Sequence, residues 1–559
     1  IGEAAADHGA ADDDDPGLLR QLVGHAHLTR IGRSWITREV PGRQGEALNH
    51  GVPTGDDRRM GNGRAIIIRG GRVLDSARPE ADPADLLIEG DTIRDIGPPD
   101  LAAPEDAVLI DAADKLLHPG LINAHTHGYH AAHKATTDRW TLERFLTVSP
   151  WVNADLSLEA SYLSTKIAAL EMVLKGCTAC YDLPLPLPLP TLGSLQAVAQ
   201  AYIDVGMRAV IAPMVANISI FHAIPGFIDV LPAAVRGDLE ARKGASVDVI
   251  LGHKKALFQQ WQPSSDLVRL AVSPAIAHHC TTALFQGLAA LAREYDAGLH
   301  THLAESKVQA VAGFRRFGKT LTAHLDEIGV LGPNVTVAHG VWLDRDDIHR
   351  LSDQGVSLAH NPGSNMRLGN GIADVRSMLD CGLTVGIGTD GARASDHQNM
   401  YEATRLAALI SKVRGPDGQD GLVAAEAFYA ATRGSARTLG LHDVGRLESG
   451  YKADIVFLDL KSLNWTPMND PILQIVHVED GTAVDSVMIG GHLVVENGRP
   501  TGTDLTTLAA EAERLKPRLA DLLAQNSEIL AEIEQVGGRF CGALSAEPYR
   551  VDRHGVHLE

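Results

Sequence analysis

His125-Thr-His127 follows directly on the apolar run Leu117 to Ala124. Two imidazoles at i and i+2 of a strand lie on one face, a geometry that suits a single metal ion. The run Pro119-Gly-Leu-Ile-Asn-Ala-His-Thr-His127 therefore reads as a buried strand with two nitrogen ligands at its C-terminal end, where parallel α/β barrels place their chemistry. Taken alone, either histidine could equally be a satisfied core residue. Three later segments repeat the pattern. Gly298-Leu-His-Thr-His-Leu-Ala-Glu305 is a short apolar strand from which His302 and Glu305 emerge three residues apart, so a metal ligand and a proton carrier could be neighbours. Val335-Thr-Val-Ala-His339 is a β-branched strand ending in histidine, and Thr384-Val-Gly-Ile-Gly-Thr-Asp390 is one ending in a carboxylate. A lone strand-end His or Asp is ordinarily a turn or cap residue. Four strand ends with the same arrangement point to a site.

Elements able to position such a site are legible along the chain. Apolar, β-branched runs predict strands at 117–124, 177–182, 207–213, 268–274, 298–302, 335–339, 356–360 and 384–389, and amphipathic segments such as 158–174 and 284–295 have the three- and four-residue spacing of covering helices. Alternation of strand and helix implies a parallel sheet closed on itself. Short strands with Gly-rich turns occur before the first of these, at 65–116, and again at 446–502.

With these motifs in place, the sequence resembles the amidohydrolase superfamily over residues 65–502, in particular the mononuclear branch of guanine, cytosine and S-adenosylhomocysteine deaminases and triazine hydrolases. The resemblance rests on Pro-Gly-Leu-Ile-Asn-Ala-His-Thr-His, His-Thr-His-Leu-Ala-Glu, Val-Ala-His-Gly, His360-Asn-Pro-Gly-Ser-Asn365 and Gly-Thr-Asp-Gly, in that order. It implies an α/β fold, a (β/α)8 TIM barrel over 117–445 with a small β-sandwich built from 65–116 and 446–502. Carried over residue by residue, it makes His125, His127, His302 and Asp390 the metal ligands, with Asp390 also catalytic, Glu305 the proton shuttle, and His339 the residue that orients the hydrolytic water or polarises the substrate.

The residue types suit that chemistry. A divalent ion held by three neutral imidazoles and one carboxylate keeps a position open for water and brings its pKa toward neutrality, while a partly buried carboxylate can carry the proton. One ion is expected, zinc foremost on ligand type, with iron or manganese compatible with the same donors. Two-metal members carry a carboxylated lysine at the end of strand four, but here that end reads Val272-Ser-Pro-Ala-Ile-Ala-His-His-Cys280. Lys254 and Lys255 lie upstream and read as surface charges.

The reaction expected is hydrolysis of a non-peptide carbon–nitrogen bond of a small molecule, by deamination of a heteroaromatic ring or cleavage of an amide, urea or carbamate. A catalytically silent scaffold of the same fold is the alternative, disfavoured by retention of all four ligands and Glu305. The S-adenosylhomocysteine deaminases carry a substrate-contacting histidine in the strand-four motif, where this chain has Ala275. A nucleoside substrate is therefore in doubt. His278 or His279 could substitute, although both read as exposed loop residues. Tyr129, His130, His133 and Trp140 are candidates for the pocket wall, as is Asn365. The run Leu183-Pro-Leu-Pro-Leu-Pro-Leu-Pro190 should be extended with exposed apolar side chains, lining a pocket or covering a subunit contact, and a homodimer or higher homo-oligomer is expected.

Bulk properties bound the rest. A chain of 559 residues can bury one large domain and one small one, and its formal charge of −20 argues against nucleic acid as a partner. Five cysteines form no disulfide framework and suit a reducing cytoplasm; Cys177 and Cys180 fall within a predicted core strand and read as inert thiols. The longest uncharged stretch, 209–228, is broken by Pro213 and Pro225 and does not read as a membrane span. No signal peptide is legible, and the initial Ile suggests that some upstream sequence is missing or removed. Residues 1–64 read as a poorly ordered extension without its own core. Residues 503–559 read as a helical tail interrupted at Pro517, with no legible role.

Overall fold

Parallel strands buried on both faces read as near-continuous apolar runs, and the runs at 117–124 and beyond fold accordingly. In the computed structural model, which describes residues 64–554 apart from 76–77, 137, 153–156, 242–243, 415–420, 517–520 and 522–523, Leu121–Thr126, Cys177–Asp182, Arg208–Ile211 and Val268–Leu270 pair in parallel, in chain order. Met214–Val215 and Ser273–Pro274 continue the third and fourth strands as a second short pair. Leu299–Leu303, Val335–His339, Ser357–His360 and Thr384–Ile387 form a further parallel set. Bridges Val272 to Leu299 and Ile276 to His302 join the two sets on one side. On the other, the Asp390 N–H donates to the His125 carbonyl at 2.9 Å. All eight predicted strands are present, the third and fourth each as two short pieces.

The first strand is shorter than its apolar run. Leu116–Pro119 pair antiparallel with Ile455–Leu458 in a different sheet, and the parallel strand begins only at Leu121. Gly120 is the crossing point, where a Cβ would stand 2.0 Å from Thr178 Oγ1, so the absence of a side chain there makes room for the buried Thr178 side chain. The other sheet has nine strands and joins chain from both flanks: Ile66–Asp75, Arg78–Glu89, Thr92–Gly97, Val108–Asp111 and Lys115–Pro119 lie with Ile455–Asp459, Val484–Ile489, His492–Glu496 and Arg499–Pro500. Its core is Ile68, Leu86, Leu117, Phe457 and Met488. The described residues fall in one compact unit, 57–559.

In the tail, helix Leu505–Glu513 packs on Leu158–Val173, and helix Ser527–Ser545 packs on Leu142–Val152 and Lys307–Phe317. The expected break at Pro517 and the extension 1–63 lie outside the described residues. The cysteines are all unpaired, and Cys177 and Cys180 are fully buried, with burial pushing the Cys177 thiol up to about 12. No helix among the described residues is long and apolar enough to cross a membrane.

Lys254 is a correction. Lys255 is a surface charge paired with Glu294 at 2.6 Å, but Lys254 is only 2% exposed and donates to the Pro213 carbonyl at 2.6 Å. The reason is register: helix Val247–Gln260 turns Ile250, Lys254 and Leu257 inward together, at four- and three-residue intervals. Burial pushes the Lys254 ammonium from 10.5 down to about 7. Between pH 7 and 10 the unfolded chain therefore binds more protons at this position, and stability rises with pH. The stability of the native protein relative to Lys254→Met should climb by roughly 1 kcal/mol per pH unit across that window in denaturant unfolding. A difference that does not vary with pH would show that the ammonium stays charged in the fold.

Candidate metal centre

The four strand ends converge as their spacing requires. His125, His127, His302, His339 and Asp390 are all buried. Alternation sends His125 and His127 to one side while Thr126 Oγ1, between them, donates to Gln398 Oε1 at 2.6 Å. His127 Nδ1 donates to the Leu183 carbonyl at 2.8 Å and His302 Nδ1 to the Ala275 carbonyl at 2.6 Å. A carbonyl only accepts, so both rings carry their proton on Nδ1 and turn the Nε2 lone pair inward. His125 Nδ1 lies 3.2 Å from His300 Nε2, and its own Nε2 is buried without a partner. The inward atoms crowd together: His302 Nε2 and Asp390 Oδ1 each lie 3.4 Å from His127 Nε2, and Asp390 Oδ1 lies 3.8 Å from His125 Nε2.

Two lone pairs facing each other without a proton repel. The same spacing is what a tetrahedral ion with bonds of about 2.0–2.1 Å imposes on its ligands. The donors therefore fit a divalent cation. Burial, then the charges of neighbouring histidines, holds His302 down to about 3 and His125 well below its ordinary value, which keeps both rings neutral and available. The carboxylate of Asp390 is fixed by Ser364 Oγ at 2.6 Å and the Gly391 N–H at 2.5 Å.

Glu305 and His339 stand beside this cluster. His339 Nε2 lies 3.7 Å from Glu305 Oε1 and 4.0 Å from Asp390 Oδ2, while its Nδ1 donates to Asn365 Oδ1 at 2.9 Å. Glu305 accepts from Asn370 Nδ2 at 3.2 Å. Burial first, then the charges of Asp390 and Glu143, raises the Glu305 carboxyl well above its usual range, as a group that must hold a proton requires. Three of the left-handed non-glycine residues of the described chain fall here: Ala304, His339 and Asp390 have φ of 48°, 71° and 61°. Such left-handed non-glycine residues cost roughly 1–3 kcal/mol each and occur where a site needs the chain to turn sharply.

Above the cluster lies a cavity of about 740 Å³ whose floor includes His127, His302, Glu305 and Asp390. Tyr129, His130 and His279 line it, as does Ala275. His278 and His279, expected at the surface, are both buried. The Leu183–Pro190 run contributes Leu185, Leu187, Pro188 and Leu189 to the wall, whereas Leu183 is wholly buried. His133 and Trp140 are not in the lining. Trp140 is packed instead between the guanidinium groups of Arg144 and Arg393, at 4.9 and 5.3 Å from its ring centre. Asn365 is spent on His339 and does not face the cavity. The sequence reading missed His300, although its i, i+2 spacing to His302 is the same signal that identified His125 and His127. It also missed Phe145, Met214 and Ile218 of the wall, which come from a helix, a two-residue strand and a loop with no motif.

Comparison with known proteins shows what the chain is similar to. The model described as the amidohydrolase family matches residues 116–494. A 5'-deoxyadenosine deaminase of Methanopyrus kandleri is 33% identical over 401 residues, covering 72% of this chain and 85% of its own. A 5-methylthioadenosine/S-adenosylhomocysteine deaminase of Pelotomaculum thermopropionicum is 31% identical over 466 residues, covering 82% of this chain and 99% of its own. The crystal structure of atrazine chlorohydrolase from Arthrobacter aurescens TC1 complexed with zinc superposes with a TM-score of 0.71 at 30% identity, covering 80% of this chain and 99% of its own.

Elemental analysis of unwashed protein should find about one divalent ion per chain, and His302→Ala or Asp390→Ala should each lose it. Two equivalents in active protein, or full retention by both variants, would refute the single four-donor site.

Proposed function

The chain belongs to the amidohydrolase family, and on that premise we propose that it hydrolyses a carbon–nitrogen bond on a small, neutral, electron-poor nitrogen heteroaromatic ring, releasing ammonia or a small amine. The observation that carries this reading is the contrast within one cavity: a floor of metal donors and Glu305 under walls of leucine, isoleucine, methionine and phenylalanine. Among the described residues, the lining holds no lysine or arginine and no carboxylate other than Glu305 and Asp390. Ser149, Asn217, Ser219 and His279 are neutral polar groups of the wall, but no cationic side chain there pairs the carboxylate of S-adenosylhomocysteine, and Ala275 adds no hydrogen bond for a ribose. A site that leaves polar substrate groups unpaired discriminates strongly against them. We accordingly separate this chain from its nucleoside-deaminating relatives and place its substrate nearer to an aminated triazine or pyrimidine.

In this reading His125, His127, His302 and Asp390 hold one ion, zinc foremost, with iron or manganese compatible with the same donors. The bound ion would supply Lewis acidity and an acidified water. Glu305 is placed to accept a proton from the attacking water at a carboxylate oxygen and to return it to the ring or leaving nitrogen. His339, its ring fixed through Asn365, orients the water or polarises the substrate. The walls exclude bulk water, which strengthens each of these interactions. We read the eight parallel strands as a closed (β/α)8 barrel and the nine-stranded sheet as the family's small β-sandwich, and the unpaired cysteines support a reducing, cytoplasmic setting. A silent scaffold would have no use for a buried Glu305 beside four converging donors.

Glu305→Gln should keep its metal and lose kcat by about 100-fold or more, the usual size of a lost general acid/base. Metal loss with an unchanged rate per bound ion would overturn its role. In a panel scored for ammonia and amine release, N-alkylamino triazines and pyrimidines should exceed adenosine, methylthioadenosine and S-adenosylhomocysteine in kcat/KM. A nucleoside turned over at about 10⁵ M⁻¹s⁻¹, an ordinary good rate, would return the protein to the nucleoside deaminases.

A further inference from the structure

The family match ends at residue 494, leaving the C-terminal segment outside it. That segment reaches the catalytic loops. Helix Ser527–Ser545 buries Ile533, Cys541 and Leu544 against Phe227, Val308 and Val311. The chain then runs on to Arg553, which is 7% exposed. Arg553 Nη2 donates to the Leu343 carbonyl at 2.6 Å and Nη1 to Asp374 at 3.2 Å, while its carbonyl accepts from the Ile372 N–H at 2.7 Å. The approach is close: a Cβ on Gly371, whose φ is +112°, would stand 2.7 Å from the Arg553 carbonyl oxygen. His554 packs edge-on against Trp342, with ring centres 5.0 Å apart.

The loop gripped in this way carries the partners of both proton-handling residues. Trp342 Nε1 donates to the Asn370 carbonyl at 2.7 Å, and Asn370 Nδ2 donates to Glu305 Oε1 at 3.2 Å. The Asn370 N–H donates to the Asn365 carbonyl at 2.8 Å, and Asn365 Oδ1 holds His339. We infer that residues 546–554 are a positioning arm for the active site, with Arg553 as the anchor and Asn370 as the residue through which it fixes the Glu305 carboxylate. The inference rests on Glu305 being the proton carrier. Loops are the mobile part of such a fold, and the connection 368–374 between helices Pro362–Arg367 and Val375–Asp380 is held at its far end by Arg553 as well as by its own turn bonds. Arg553 supplies two side-chain bonds and one main-chain bond to it or beside it, from a segment itself fastened by a 19-residue helix. Arg550, by contrast, pairs with Asp344 and Asp346 from an exposed position and should contribute little.

The test compares full-length Arg553→Ala, Arg553→Lys, Arg550→Ala, Asn370→Ala, the Arg553/Asn370 double variant and Glu305→Gln. Readouts are zinc content, kcat and KM on an N-alkylamino-1,3,5-triazine, and amide hydrogen exchange of 365–374. Arg553→Ala should keep one zinc, hold KM within about twofold, lose kcat by roughly tenfold, as removal of supporting hydrogen bonds commonly does, and exchange faster at 365–374. Arg553→Lys should recover most of the rate, and Arg550→Ala should match the native enzyme. The double variant should be no worse than the poorer single one, since residues acting through one path are not additive. Native exchange at 365–374 in Arg553→Ala, or additive losses in the double variant, would overturn the arm. An unchanged kcat in Glu305→Gln would instead overturn the reading of Glu305, and the exchange measurement would still decide whether the arm holds the loop.

Discussion

Three imidazole lone pairs and a carboxylate oxygen are held within a few ångströms of one another in a buried pocket, an arrangement that only a cation makes favourable. Unpartnered buried nitrogens such as His125 Nε2 cost free energy unless something satisfies them. The arrangement persists because each ring is fixed from behind: His127 by Leu183, His302 by Ala275, His125 against His300. Two of these anchors are main-chain carbonyls at the ends of the second and fourth strands. Neighbouring strands thus fix the ligands of the first and fifth, and the centre depends on the parallel sheet keeping its order.

This dependence bears on three of the left-handed non-glycine residues of the described chain. A strand that ends at the site must stop and turn at once, and Ala304, His339 and Asp390 do so with left-handed φ. Asp and His adopt that region with less penalty than most residues; Ala does not share the advantage. Their strain is tolerated because packing around them is fixed on every side. Gly391 shows how tight that packing is, since a Cβ there would stand 2.3 Å from His130 Nδ1.

The proposed metal donors and Glu305 were legible as candidates because polar residues at the ends of apolar runs violate the pattern of a buried strand. The structure brings these side chains near one another: His125, His127, His302, His339, Glu305 and Asp390 fall in three overlapping groups of three. What depended on which way a helix or loop faces was not legible. Lys254 sits on the inward stripe of its helix, and a lysine read by type alone is placed at the surface. His278 and His279 follow a strand end, where exposure is the ordinary expectation, yet the loop folds over the cavity and buries them. Trp140 and Asn365 were nominated by residue type and by motif, and the structure gives them other partners. Gly120 hides a sheet change within one apolar run, because periodicity is the same on both sides of it. The role of the tail was invisible because an arm that grips a loop through one arginine and one carbonyl leaves no periodic trace.

The walls and the floor of the cavity act on Glu305 in opposite senses. Apolar walls and the neighbouring Asp390 carboxylate favour its protonated form, and the sum places its carboxyl far above the usual range in the bare protein. A divalent cation among the four donors adds positive charge within the same low-dielectric space and favours the carboxylate. In the proposed mechanism the balance between burial and a bound cation would set how readily Glu305 takes and gives a proton, so the apolar lining proposed to select a neutral substrate is also what raises the affinity of Glu305 for its proton.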